Sequence, residues 1–281
     1  MRHRRSGFTL IEMVVVIAIL VILTGLVVAK LDVFEMKANK GVSAANMAGI
    51  ARYVQTYRTL SSQYPDGWDS LLVNGTSPPV AGPPNGTPGL HPELTGGSPF
   101  VGAPITELAT TTLTASEVQS LGRLFVATVY DFPAVAGWTD VPGNMATLRR
   151  SLTTGSTVAT LNATMPTDGV TPVTQGDPKA ISVIGHIYPN PGAGGPIVPA
   201  NKQLVVFGLG RFNTLIGSTN QNGLLTEAPF YANTNQVQYY NRFLVVFEVD
   251  TTGARCRQVA VLGGDGDQMS DELADYYQQN P

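Results

Sequence analysis

The chain has 281 residues, with 17 Lys and Arg against 20 Asp and Glu, and a formal net charge of -3. Charged residues make up 13% of it and hydrophobic residues 43%, which excludes a disordered, highly charged protein. A slightly negative chain has no bulk attraction for nucleic acid, and we expect no nucleic-acid partner. The single cysteine, Cys256, excludes an internal disulfide framework and a thiolate metal cluster.

The N-terminal segment has the pattern of a membrane anchor. Three arginines among the first five residues precede an apolar run that extends to Ala29. A helix over residues 8–29 would be about 33 Å long, enough to cross a bilayer core of about 30 Å. The basic flank predicts a cytoplasmic N-terminus. A secretory signal peptide would have a shorter apolar region ending in a small-residue cleavage site, and no such site precedes Lys30.

Glu12 is the one charged residue within this apolar run. A carboxylate in a membrane span is costly, at about 3 kcal/mol for the related acid Asp at mid-span. Two interpretations remain open from the residue alone. Glu12 is either an acid tolerated near the cytoplasmic end of the span or a carboxylate that pairs with another group.

The run GFTLIE at residues 7–12, between a basic leader and an apolar stretch, resembles the processing signal of type IV pilins and type II secretion pseudopilins. The resemblance implies that a prepilin peptidase cuts between Gly7 and Phe8 and then N-methylates Phe8. It also implies that Glu12 pairs with the amino group of Phe8 on a neighbouring subunit during filament assembly. An ammonium and a carboxylate in low dielectric each need such a partner.

The same resemblance implies a structural subunit, not an enzyme, with other pilin or pseudopilin subunits as its partners. An inner-membrane assembly platform with a cytoplasmic ATPase would extract the helix into a filament, with the head periplasmic or otherwise extracytoplasmic. A minor pilin for adhesion or DNA uptake is an alternative within the class. A signal-anchored extracytoplasmic enzyme or binding protein that does not polymerise is the alternative outside it.

The helix is predicted to continue beyond the membrane, because no proline occurs before Pro65. Apolar and small residues recur at spacings of three and four, as in one stripe of an amphipathic helix. The stripe comprises Leu31, Phe34, Ala38, Val42, Ala45, Gly49, Tyr53, Tyr57 and Leu60. We expect a rod of about 80 Å whose second half packs this stripe against a globular head.

The head is predicted to hold an antiparallel β-sheet. Short runs rich in Val, Ile, Phe and Tyr predict strands at residues 124–130, 181–187, 204–208, 243–249 and 258–262. Residues 250–254 predict a hairpin loop, and a short helix is predicted near Ser116. Proline-rich and charge-poor tracts within 74–122 and 151–201 predict long surface insertions, serving as subunit contacts or as disordered loops.

The predicted fold class is therefore α+β, a long N-terminal helix with a transmembrane half and an amphipathic half, packed on an antiparallel β-sheet head with long Gly/Pro-rich insertions. The predicted divisions are a cleaved basic leader, a transmembrane or filament-core helix, its amphipathic continuation and an extracytoplasmic head. They cover residues 1–7, 8–29, 30–64 and 65–281.

A glycine-bent acidic segment near the C-terminus predicts a calcium site. Asp265, Asp267 and Asp271 offer hard oxygen ligands, which Ca²⁺ prefers. The spacing is not that of an EF-hand, and some pseudopilins hold calcium in a comparable loop. The alternative is a Gly-Asp turn followed by a terminal helix with Ser270 as its N-cap.

Other reactive side chains give no enzyme pattern. His91 and His186 have no neighbours in sequence that suggest a nucleophile or a metal set. Cys256 lies between Arg255 and Arg257, which would lower its pKa if it were exposed. It could also cross-link subunits, or be buried and inert.

Overall fold

A computed structural model describes residues 10–73, 89–91, 94, 105, 107–132, 148–163, 178–189, 198–217, 222–231 and 242–278. The predicted leader, Phe8 and most of the proline-rich tract after residue 73 lie outside these ranges.

A single helix, α1 (Leu10–Ser61), dominates the N-terminal part of the structure. Its 52 residues correspond to a length of about 78 Å, as predicted. The helix ends where Ser62 adopts a left-handed conformation with φ 59°, three residues before Pro65. Among the described residues, no helix combines the length and apolarity needed for a membrane span, so the predicted transmembrane character of residues 8–29 is not confirmed.

The described residues form three further helices and eight strands. The helices are α2 (Ala115–Gly122), α3 (Pro178–Ile187) and α4 (Met269–Gln278). The strands are β1 (Trp68–Val73), β2 (Leu108–Thr112), β3 (Thr128–Phe132), β4 (Leu148–Ser151), β5 (Thr157–Leu161), β6 (Lys202–Gly208), β7 (Leu244–Asp250) and β8 (Cys256–Leu262).

The strands form one mixed sheet that branches at β6. Along one edge β6 pairs antiparallel with β7, and β7 pairs antiparallel with β8. The other edge of β6 is shared between β5 and β1, and the order β2-β5-β6-β1-β3-β4 completes the sheet. The β1–β3 pair is parallel, so the predicted antiparallel sheet is antiparallel in most but not all of its pairs.

Both faces of the central strands are buried, which gives the head two apolar cores. Successive strand residues point to opposite faces, so Val205 and Phe207 lie in one core while Leu204 and Val206 lie in the other. The first core is covered by α1 and α2, and the second by α3. The continuous apolar runs of β6 and β7 are typical of strands covered on both faces.

The face by which α1 packs on the head is not the predicted one. Met47, Ile50 and Val54 are buried in the first core. Most of the predicted stripe is exposed instead, including Phe34, Val42 and Leu60. The prediction failed because a second set of residues with the same 3.6-residue period, with Lys40 and Ser43 at its start, faces the head.

Several predicted elements of the head are confirmed. The strands predicted at 204–208, 243–249 and 258–262 are β6, β7 and β8, and β3 overlaps the strand predicted at 124–130. The predicted hairpin loop joins β7 to β8, and Gly253 there has φ 84°. Helix α2 begins at Ala115, where the Thr114 side chain and Glu117 form a capping box.

Two kinds of element were predicted wrongly. Residues 181–187 form most of α3 instead of a strand, because Ala180, Val183 and Ile184 recur at helical spacing and face the second core. Strands β2 and β5 lie in tracts predicted to be loops. Their Thr and Ala residues carry little apolar signal, yet the two strands pair with each other along their full length.

Candidate functional site

The first candidate site is the N-terminal segment. Gly7 and Phe8, the predicted cleavage and methylation positions, lie outside the described residues. Glu12 lies in the first turn of α1 and is exposed. The apolar residues around it are also exposed, with Leu10 at 83%. Side chains of this kind are usually covered in a working protein, by a membrane or by another chain.

The second candidate site is a group of carboxylates near the C-terminal end of β8, here called the acidic cluster, of which two are buried and Asp265 is partly exposed. It comprises Asp265, Asp267 and Glu272, and one carboxylate oxygen from each lies within 4.8 Å of the other two. The loop after β8 turns sharply at Gly266, with φ 84°, and a Cβ there would lie 2.9 Å from Cδ of Glu107. Only glycine suits this position, so the loop can bring its two aspartates back towards the start of α4.

The sequence predicted two of these three residues. Asp265 and Asp267 are brought together, and Glu272 takes the place predicted for Asp271. The Asp271 carboxylate instead accepts a hydrogen bond from Gln268 N at 3.3 Å, at the start of α4. The helix begins at Met269, so Ser270 lies within its first turn and is not the N-cap.

A lysine from α1 enters the acidic cluster. Lys40 Nζ lies 3.1 Å from Glu272 Oε2, 3.7 Å from Asp267 Oδ2 and 3.9 Å from Asp265 Oδ2. The contact with Glu272 Oε2 is the shortest of the three ion pairs. The Lys40 side chain is 10% exposed and that of Glu272 is fully buried. No sequence pattern linked Lys40 to residues more than two hundred positions away.

Two more side chains complete the surroundings of the acidic cluster. Lys179 of α3 lies with its Nζ 2.6 Å from Asp267 Oδ1 and 3.6 Å from Glu107 Oε1. The Tyr231 hydroxyl, which has one proton to donate, lies 2.6 Å from Asp265 Oδ2 and also contacts Glu272 Oε1. The cluster therefore joins α1, α3, α4 and the loop after β8.

The charges in the cluster shift one another's pKa values. Burial lowers the pKa of Lys40, but the contact with Glu272 and the negative charges of the aspartates outweigh burial, so its pKa is raised. Burial is also the largest influence on the pKa of Lys179 and lowers it. The hydrogen bond to Asp267 and the nearby negative charges outweigh burial, so the pKa of Lys179 is raised as well. Burial raises the pKa of Glu272, and Tyr231 and Lys40 offset this only in part. Both lysines are thus charged at neutral pH.

The acidic cluster as built does not fit a calcium ion. Ca²⁺ takes about six to eight oxygen ligands at about 2.3–2.6 Å. One oxygen of each of the three carboxylates faces the Lys40 ammonium instead, at 3.1 to 3.9 Å. Calcium binding itself is untested and stays a prediction.

A second charged network links neighbouring strands at one end of β6, β7 and β8. Glu248 accepts two hydrogen bonds from Arg257, at 2.9 and 2.8 Å, and one from the Tyr188 hydroxyl at 2.5 Å. Asp250 accepts from Lys202 Nζ at 2.8 Å. The hydrogen bond from Lys202, followed by those from Thr252, lowers the pKa of Asp250 to about 2. This network is a structural tie between strands.

Of the remaining candidates for chemistry, Cys256 and His91 are buried, whereas His186 is exposed in the last turn of α3. Cys256 is buried, and burial raises its pKa although the charge of Arg58 lowers it, so a lowered pKa is wrong for this thiol. His91 is buried against Phe132, with ring centroids 4.2 Å apart, and burial lowers its pKa to about 3. An imidazole of this kind is neutral at physiological pH and is enclosed by the core.

Comparison with known proteins points to the N-terminal segment. Residues 2–28 match the family described as the prokaryotic N-terminal methylation motif. The chain is 35% identical over 82 residues to the type II secretion system core protein G of Dickeya chrysanthemi, which covers 28% of this chain and 54% of that protein. It is also 35% identical over 81 residues to the core protein G of Aeromonas hydrophila, covering 28% and 57%. No solved structure matches.

The chain thus spans about half the length of the curated relatives it matches. Both relatives carry the same name, and the matched motif includes Gly7, Phe8 and Glu12. The match of residues 2–28 and the two relatives confirm the predicted resemblance to the pilin-like and type II secretion pseudopilin family.

Proposed function

We propose that the chain is a structural subunit of a type II secretion pseudopilus, or of a closely related type IV pilus-like filament. The observation that carries this proposal is the match of residues 2–28 to the N-terminal methylation motif. The names of the two relatives favour a secretion system over a pilus. The role is one of assembly, and we assign the chain no catalytic residue.

Processing is the first step of the proposal. A prepilin peptidase cuts between Gly7 and Phe8 and methylates the new amino group of Phe8. The basic leader is removed, and the mature chain begins on an apolar helix with Glu12 as its fifth residue. In this scheme residues 8–29 anchor the chain in the inner membrane, with the head in the periplasm or an equivalent extracytoplasmic space.

Assembly is the second step. The exposed apolar side chains at the start of α1 lose their contact with lipid when the helix enters a filament, and they gain contact with neighbouring helices. Glu12 pairs with the amino group of Phe8 on the next subunit. The partners are other pilin-like subunits and an inner-membrane platform with a cytoplasmic ATPase that extracts the helix.

Mass spectrometry of the mature protein tests processing. The chain is expressed with its prepilin peptidase, and the N-terminal peptide is identified. The expected peptide begins at Phe8 and carries one additional methyl group, whereas Gly7→Val leaves the leader attached. A mature N-terminus elsewhere, or an unprocessed chain in the presence of active peptidase, would contradict the proposal.

A further inference from the structure

The acidic cluster already has a partner on every carboxylate oxygen. Lys40 Nζ contacts one oxygen of each of its three members, as described above. Lys179 Nζ contacts the other oxygen of Asp267. The Tyr231 hydroxyl contacts the other oxygen of Glu272. The backbone N–H of Asp267 donates to Asp265 Oδ1 at 3.2 Å.

Three carboxylates this close together need a counter-charge. The side chains of Glu272 and Asp267 are 0% and 13% exposed, so water screens them weakly. Like charges a few ångströms apart repel by several kcal/mol at the effective dielectric of a protein surface, and more strongly inside it. A cation at this position therefore stabilises the folded structure by offsetting this repulsion.

The cation in this position belongs to the chain. The Lys40 ammonium lies between the three carboxylates, and Lys179 approaches Asp267 from α3. A divalent metal bound to the same oxygens would lie within a few ångströms of Lys40 Nζ, and the two positive charges would repel. Metal binding would also require Lys40 to leave a site in which its side chain is 10% exposed.

We propose that Lys40 and Lys179 perform, in this chain, the role that a calcium ion would perform in a C-terminal acidic loop. The loop after β8 is held to α1, α3 and α4 by two ammonium groups, and its folding needs no metal. An internal counter-ion is thus the alternative to the calcium site predicted from the sequence.

The position of Lys40 gives this tie a structural consequence. Among the α1 side chains that the structure describes, Lys40 is the first buried one, so it lies where the long helix meets the head. The ion pairs of Lys40 thus join the loop after β8 and α4 to α1, at the point where α1 meets the head. Unlike a bound ion, this link cannot be removed by a chelator or lost when the calcium concentration falls.

The direct test is thermal unfolding of the full chain, purified in mild detergent and pretreated with chelator. Its Tm is measured in millimolar EGTA and in millimolar CaCl₂, and CaCl₂ is also titrated calorimetrically. We expect the same Tm in both solutions and no saturable heat of binding. A Tm that falls in EGTA and recovers with CaCl₂, or a saturable binding isotherm, would overturn the proposal.

A matched pair of variants tests the role of the ammonium. Lys40→Met leaves buried carboxylates without their main counter-charge, and we expect its Tm to fall by about 10 °C. Lys37→Met, one turn earlier on α1 at a partly exposed position, is the control and should keep the wild-type Tm. If the two variants were equally stable, Lys40 would not hold the loop and the proposal would fail.

A third variant covers the case in which Lys40→Met does not fold. The Lys179 side chain is 56% exposed, so Lys179→Met should fold with a smaller drop in Tm. An unchanged Tm for Lys179→Met would show that Lys179 does not hold the loop. The inference does not rest on the proposed filament function, since these measurements use an isolated chain and would stand if no filament formed.

Discussion

The two halves of α1 have opposite surroundings although they form one continuous helix. In the first half, Leu10 and the apolar residues that follow it are exposed, whereas in the second half Met47 and Ile50 are each 2% exposed in the core of the head. The second half finds its packing partners within the chain. The side chains that the structure describes in the first half are all exposed, as is typical of a segment covered by a membrane or by other chains.

This contrast separates folding from assembly. Substitutions in the buried face of the second half should unfold the head without altering the chemistry of the N-terminus. Substitutions in the exposed first half should leave the head intact and affect assembly. The predictions below test that separation, beginning with the largest expected effect.

Glu12→Val should abolish assembly while leaving processing intact. The variant removes the carboxylate proposed to pair with the Phe8 amino group of the next subunit, at an exposed position in the first turn of α1. Filaments are measured by electron microscopy and by shearing in cells that contain the assembly apparatus. Val16→Ala, one turn later and also exposed, should still assemble. Normal filaments from Glu12→Val would remove the proposed role of this residue.

Ile50→Ala should destabilise the head by about 2–5 kcal/mol, because it leaves a cavity where α1 packs on the sheet. Denaturant unfolding of the full chain in detergent measures this loss. Val42→Ala truncates an exposed residue on the same helix and should change the free energy of unfolding by less than about 0.5 kcal/mol. Equal losses in the two variants would show that the described packing face is wrong.

Phe34→Ala should weaken subunit association by roughly tenfold without changing the stability of the head. Phe34 is 67% exposed and lies between the two halves of α1. Burying such a side chain against another subunit contributes about 1.5–3 kcal/mol. The amount of sheared filament and the Tm of the head are measured on the same sample. A lower Tm with unchanged assembly would contradict the prediction.

The smallest expected effect concerns Asp250 and is confined to acid. Its folded-state pKa is lowered to about 2, below the ordinary value of 3.8. The stability that it contributes is therefore complete above about pH 4 and is lost as the pH falls through about 2. Asp250→Asn should be slightly less stable than the wild type at pH 7, and the difference should shrink as the pH falls towards 2. A difference that grows in acid would contradict this sign.

The sequence was sufficient for some elements because their signals are local. The processing motif is a short string, and the strands β6 to β8 are rich in β-branched residues. Pro65 marks the end of the long helix, which ends at Ser61, just before the left-handed Ser62. The aspartates of the acidic cluster were also found locally, from the glycines that bend their loop.

The missed features depend on contacts between distant parts of the chain. Both faces of the second half of α1 have apolar residues at helical spacing, and only the fold decides which face meets the head. Residues 181–187 are rich in Ile and Val, but they pack as a helix that covers the second core of the sheet. Lys40 becomes a counter-ion only because α1 passes beside the C-terminal loop.

Photo-cross-linking from α1 tests most directly whether the chain assembles through its N-terminal helix. Phe34 is replaced by benzoylphenylalanine in the full chain, in cells that contain the peptidase and the assembly apparatus, and the products are separated by mass. The expected result is a ladder of covalently linked subunits that disappears when Glu12→Val is added. A monomer alone, or a ladder that Glu12→Val leaves unchanged, would contradict assembly through this helix.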